Sequence, residues 1–175
     1  MTWNAPPPVS AGDVASATNY NVYVKDNLLY LFNGRPTASI LRVGGADYAT
    51  TATSFVDVDA ANLTLTVLVN TGRVRVLAFG RAWLGYSSAG TAFGAVDLLL
   101  DGATRGNAAN TNGLVYLNSI SQEYQWMVCA EFTGLTVGTH QIKPIYSLIP
   151  GGTALGQSIN IRNNGIPIGL YAQEF

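Results

Sequence analysis

The sequence predicts an all-β protein, a jelly-roll-like antiparallel β-sandwich preceded by an extended N-terminal arm and one short helix. Three observations carry this. In Leu63-Thr64-Leu65-Thr66-Val67-Leu68-Val69 every odd position is apolar, the period-2 pattern of a half-buried strand. The segment from Tyr124 repeats it, with Tyr124, Trp126, Val128, Ala130 and Phe132 on one side and Glu123, Gln125 and Glu131 on the other. Beyond Pro36 the apolar segments are short and punctuated by Gly, Asn and Asp, and no second helical stretch separates them.

In chain order, residues 1–15 hold Trp3, Pro6-Pro7-Pro8 and Gly12, which favour an extended, partly polyproline-like arm. From Asn19 to Asn33 the residues Tyr20, Val24, Leu28, Leu31 and Phe32 recur at helical spacing. Gly34 and Pro36 then end the helix, with Ser16 or Thr18 able to cap its start. Strands are expected at Ser39–Val43, Thr53–Val58, Leu63–Val69, Arg73–Tyr86, Phe93–Leu100, Leu114–Ile120, Tyr124–Phe132, His140–Ile149, Gln157–Arg162 and Ile166–Ala172. Asp101-Gly102, Asn164-Gly165 and Asn70-Thr71-Gly72 read as hairpin turns. The chain therefore divides into residues 1–36, an arm and helix serving attachment, and residues 37–175, the sandwich.

Composition bounds the setting. At 175 residues there is room for one well-buried core. Charged residues make up 11% against 48% hydrophobic, whereas a typical soluble domain carries about 25% charged, so protein is expected to cover part of this surface. No apolar run reaches the roughly 18 residues of a membrane span, and the N-terminus lacks the basic-then-apolar order of a signal peptide. A net charge of −1 offers no basic field to a polyanion. Neither nucleic acid nor membrane insertion is expected. Cys129 is the only cysteine, which excludes an intramolecular disulfide and a cysteine-rich zinc site.

Three stretches carry a resemblance. Phe132 to Leu148, with its Leu-x-x-Gly-Thr-His turn followed by an outgoing strand and a Gly-Gly loop, resembles the late hairpin of β-sandwich domains in phage and virus surface proteins. The segment from Asn21 through Asp26-Asn27-Leu28 to Leu31 resembles the N-terminal region of phage tail-fibre and virion-associated proteins. The ending Ile166-Pro167-Ile168-Gly169-Leu170-Tyr171 resembles the closing strand of tumour-necrosis-factor-like and related trimeric viral sandwiches. The resemblance implies a virion location and a homotrimer packed through Ile166, Ile168, Leu170 and Tyr171. It also implies attachment to other virion proteins through Trp3, Tyr20, Val24, Leu28 and Leu31. An ordinary amphipathic helix packed under the sandwich is the alternative for that last segment.

Catalytic chemistry finds little purchase. His140 is the only histidine and follows a Gly-Thr turn, where a locally hydrogen-bonded ring is the simpler expectation. Glu123 and Glu131 share a strand face, but eight residues at about 3.3 Å each place them roughly 26 Å apart, beyond the about 5–9.5 Å of a glycosidase pair. Asp57-Val58-Asp59-Ala60-Ala61-Asn62 lacks the glycine and distal glutamate of an EF-hand loop. No nucleophile elbow, phosphate loop or dinucleotide fingerprint occurs. No catalytic, cofactor or metal residue is therefore nominated. Cys129, on a strand rich in large apolar residues, is expected to be buried. The loop from Arg105 to Gly113 is polar and amide-rich, suited to a partner contact or to plain exposure.

One strand face stands out. Arg73, Arg75 and Arg81 alternate onto the side that carries Leu77, Phe79 and Trp83, a mixture of guanidinium and aromatic groups suited to an intersubunit contact or a host-glycan platform. The alternative is solvated arginines beside a core Phe79 and Trp83. The function that the resemblance implies is a non-enzymatic structural component of a bacteriophage or phage-like particle, either a tail-fibre or receptor-binding tip or a capsid decoration. A carbohydrate-binding sandwich, marked by exposed Trp83, Tyr86 or Tyr116, is the rival. A glycan-cleaving enzyme using Asp97 with Asp101 or Glu123 is a further one.

Overall fold

The computed structural model describes residues 37–85, 91–109, 113–117, 123–149 and 156–175. The expected arm and helix, with Trp3, Tyr20, Val24, Leu28 and Leu31, lie outside these residues. Twelve strands are described: β1 (Thr37–Arg42), β2 (Tyr48–Thr50), β3 (Val56–Asp57), β4 (Leu65–Val69), β5 (Arg73–Gly85), β6 (Gly94–Leu100), β7 (Thr104–Arg105), β8 (Val115–Leu117), β9 (Glu123–Thr133), β10 (Gly138–Leu148), β11 (Ser158–Arg162) and β12 (Ile168–Glu174). All are paired antiparallel, and no helix occurs among the described residues. β2 and β7 escape the sequence reading because three and two residues are too few to show a period.

The strands form two sheets, a front one of β1, β2, β5, β9, β11 and β12 and a back one of β3, β4, β6, β7, β8 and β10. Several are halves of one interrupted ribbon. Along β5, the step from Arg81 to Phe79 is matched on the partner side by Arg162 to Gly169, so β11 and β12 run in line with residues 163–167 looped out between them. Asn164-Gly165 is therefore not a hairpin: the chain leaves β5 and returns to it in the same direction. β3 and β4 share an edge of β10 in the same way, and β7 and β8 share an edge of β6. With β1 and β2 lying along β12 and β11, each sheet is four ribbons wide. Counting ribbons along the chain, the front sheet runs 1-8-3-6 and the back sheet 2-7-4-5.

Two turns expected to be hairpins are corners between sheets. Asn70-Thr71-Gly72 carries the chain from β4 in the back sheet to β5 in the front, and residues 134–137 carry it from β9 in the front to β10 in the back. The corners lie against each other, with the Leu135 N–H donating to the Gly72 carbonyl at 3.0 Å. The Glu174 carboxylate, fully buried, accepts from the main-chain N–H groups of Asn70 and Thr71 and ties the end of β12 to the first corner. Only Asp101-Gly102 makes a true hairpin. Both residues have positive φ (49° and 71°), as the turn favoured by twisted strands requires, and Ala103 N–H closes it on Leu100 O at 3.0 Å.

The core lies between the sheets. β4 packs against β1 and β12, β10 against β11 and β2, and β6 and β8 against β9. Alternation decides who enters it. Leu63, Leu65, Val67 and Val69 are all buried, as are Trp126, Val128, Ala130 and Phe132, each large apolar side chain contributing about 1.5–3 kcal/mol. Gly80 sits where the Trp126 indole needs space, since a Cβ there would lie 2.8 Å from Cζ2.

Candidate functional site

β5 is the organising strand of the front sheet, paired from Arg73 to Trp83 with β9 on one side and with β12 and β11 on the other. Because residues directly opposite share a face, the register fixes the rows on its outer surface. Ser39, Tyr171, Leu77 and Cys129 form one row, and Leu41, Gly169, Phe79 and Met127 the next. Leu41 and Met127 are 64% and 67% exposed, and Phe79 and Tyr171 are exposed at 36% and 39%. The Phe79 ring reaches over β12 because Gly169 leaves room, as a Cβ there would stand 2.3 Å from the ring. The result is an apolar strip across four ribbons. It borders an open depression of about 700 Å³ lined by Phe79, Arg81, Gln125, Met127, Ile166 and Pro167.

Ion pairs close within the chain on both sides of the strip. On one side Arg75 meets Glu131 at 2.6 Å and lies over the Phe175 ring at 5.1 Å. On the other, Glu123 receives Arg162 at 2.8 Å and Arg81 at 3.5 Å, and Arg162 reaches Asp47 at 2.5 Å. Burial alone would push the Asp47 carboxyl up, but the Asn163 and Asn164 main-chain N–H groups and the Arg162 guanidinium outweigh it and hold it below the usual range. These same bonds satisfy the main-chain N–H groups of Asn163 and Asn164, the first two of the looped-out residues.

The expected site residues separate on the structure. Arg73, Arg75, Phe79, Arg81 and Trp83 do share the outer face of β5, with Trp83 half-buried. Tyr171 joins them from β12, and Ile166 is half-buried beside the depression. Ile168 and Leu170 do not join. They are 0% and 1% exposed and belong to the chain's own core, because alternation along β12 turns them inward and Tyr171 outward. Cys129, expected to be buried, is exposed, since the inward residues of β9 are the even-numbered ones. Leu41 and Met127 were missed, although the same alternation places both outside.

Every Asp and Glu side chain among the described residues is engaged within the chain. Asp97, fully buried, takes Arg105 on Oδ2 at 2.8 Å and the Leu98 and Asn107 N–H groups on Oδ1. Arg105 also stacks on Phe55 at 4.1 Å. Asp97 is thus closed off from any polysaccharide, as partner either to Asp101 or to Glu123. Asp57 pairs with Lys143, and Asp59 accepts from Tyr48, Ala61 and Asn62, which makes their loop an Asx-type turn. No cluster of three or more His, Cys, Asp or Glu occurs among the described residues. His140 is buried on β10, with Nδ1 2.6 Å from Asp101 Oδ2 and Nε2 2.9 Å from the Thr136 carbonyl. That carbonyl, then the Asp101 carboxylate, raises the imidazole pKa against the effect of burial.

Fold and site together define an antiparallel β-sandwich with few charges, most of them paired internally, and an exposed apolar outer face. No protein-family model matches the chain, and comparison with curated proteins gives no match. Among solved structures the chain is similar to a mutant VP2 protein of infectious bursal disease virus in derived T=1 particles (11% identity, TM-score 0.38, 80% of this chain and 36% of that one). It is likewise similar to the structure of the Gt strain of that virus (10% identity, TM-score 0.40, 80% of this chain and 38% of that one). The chain spans little more than a third of either. At that level of likeness the strand order and the surface, not the neighbours, carry the functional reading.

Proposed function

We propose that the protein is a non-enzymatic structural component of a virus particle, a jelly-roll sandwich that assembles with copies of itself through the outer face of its front sheet. The observation that carries this is the strip of Leu41, Phe79, Met127 and Tyr171, flanked by ion pairs already closed within the chain. Such a face gains little from water and offers no unmatched charge to a polar ligand among those pairs. The ribbon orders 1-8-3-6 and 2-7-4-5 support the jelly-roll reading, an architecture shared by capsid and lectin domains. Between those two, the surface decides. The proposed assembly is a homotrimer, with Tyr171 and Ile166 the contributions of the C-terminal segment, and residues 1–36 attach it to other virion proteins. Within this reading the particle is a bacteriophage or phage-like one, and the protein is a tail-fibre tip or a head decoration.

One observation favours the carbohydrate-binding alternative. Tyr116 is 43% exposed and stacks on Phe93 with ring centroids 5.6 Å apart, an aromatic platform on which a host-surface sugar fits. Labelled micrographs of purified particles test the main reading. The label should decorate the particle at regular positions, and its absence from particles would remove the structural role.

A further inference from the structure

We propose that β9 is a dimerisation edge: it pairs antiparallel with β9 of a second copy about a twofold axis at Val128, joining two front sheets into one. This rests on the self-association reading above and adds a second contact to the one on the face.

Among the described residues β9 has a strand neighbour on one side only, β5. A free edge exposes a row of main-chain donors and acceptors, and proteins usually guard it with proline, lysine, a bulge or a short strand. β9 has none of these. It is eleven residues long, Glu-Tyr-Gln-Trp-Met-Val-Cys-Ala-Glu-Phe-Thr, and its register with β5 runs unbroken from Arg73 opposite Thr133 to Trp83 opposite Glu123. Its two glutamates do not guard it either. Glu131 is held by Arg75, and Glu123 by Arg162 and Arg81, so neither carries an unmatched charge to repel a mate.

The side chains choose a second copy and a register. Pairing must set odd against odd positions to keep both cores on the same side of the joined sheet. Centring on Met127 would set Glu123 against Glu131 of the mate, two acceptor-only carboxylates with no donor to offer each other. Centring on Cys129 sets Met127 against Glu131 and leaves Glu123 without an opposite residue. Centring on Val128 uses the full length, with Glu123 opposite Thr133, Gln125 opposite Glu131 and Met127 opposite Cys129. There the Gln125 amide donates to the mate's carboxylate. The apolar row of Leu41, Phe79 and Met127 also continues across the seam into the mate's row of Cys129, Leu77 and Tyr171. A twofold contact at this edge and a threefold one on the face are compatible in a closed shell.

Cysteine pairing reads the register. In the Val128 register Met127 and Cys129 of opposite copies have Cβ atoms about 4.5–5.5 Å apart, whereas like positions are diagonal at about 7–8 Å, too far for a disulfide. The double variant Met127→Cys/Cys129→Ser and the wild type each carry one thiol. Under mild oxidation at micromolar concentration, each alone should remain a single chain on a non-reducing gel, and an equimolar mixture should give the disulfide-linked pair. Linkage of the wild type with itself through Cys129 would overturn the register. No linkage in the mixture, with sedimentation still showing association, would overturn the edge contact and leave the face reading standing. A wild type that sediments as a monomer would overturn both.

Discussion

The only histidine gives the fold a pH dependence whose sign follows from geometry. Both neighbours of the His140 ring, the Thr136 carbonyl and the Asp101 carboxylate, are acceptors, so only the imidazolium donates to both. The folded state therefore binds the proton more tightly than the unfolded chain, and the imidazole pKa is raised. Stability from this group is fully present below the unfolded value near 6.5 and is lost as pH rises through the folded one. Asp101 acts in the opposite sense. Burial would raise its pKa, but the Gln141 N–H and His140 outweigh that and lower it. Its contribution is present above about pH 3.8 and lost as pH falls through the lowered folded value. Maximum stability from the pair thus lies between about pH 4 and 6.5. A charge-assisted hydrogen bond contributes about 1.5–3 kcal/mol, and the Asp101 side chain is 46% exposed, so screening brings the expected loss on going to alkaline pH down to about 1 kcal/mol. Urea unfolding at pH 5.5 and pH 9 measures it, and Asp101→Asn should flatten the difference. Stability that is level or rises over that interval in the wild type would refute the assignment.

Asp97→Ala should destabilise by about 3 kcal/mol, since it strips a buried carboxylate from Arg105 and from two main-chain donors. Glu131→Ala, which breaks an exposed pair, should cost at most about 1 kcal/mol by the same unfolding assay. Gly169→Ala should force the Phe79 ring off β12 and cost under about 1.5 kcal/mol, yet weaken association, which sedimentation would register separately from stability.

Much of the sandwich was legible in the sequence, because period-2 alternation is a local property. Leu63 to Val69 and Tyr124 to Phe132 point as their spacing dictates. Sheet membership is not local. The turns at Asn70–Gly72 and residues 134–137 have hairpin chemistry, yet both join strands of different sheets, and Asn164-Gly165 loops out of a ribbon that continues beyond it. A turn sequence fixes the path of a few residues and leaves the pairing to distant strands. Apolar character likewise did not separate core from face. Ile168 and Leu170, which the resemblance of the apolar closing strand places in an interface, are buried by alternation, and the same alternation exposes Met127, Cys129 and Leu41. The buried Asp97 and Glu174 were illegible because the groups that hold them are set by loop and corner geometry.

The outer face of the front sheet is where the account is most exposed to test. Sedimentation velocity of the full chain across the micromolar range, beside the double variant Phe79→Glu/Tyr171→Glu, addresses it directly. Both positions point outward, so the variant should keep its fold by circular dichroism. The wild type should sediment well above the 18.5 kDa of one chain and the variant as a folded species no larger than the β9-paired dimer; a monomeric wild type, or a variant that associates as the wild type does, would contradict the face contact.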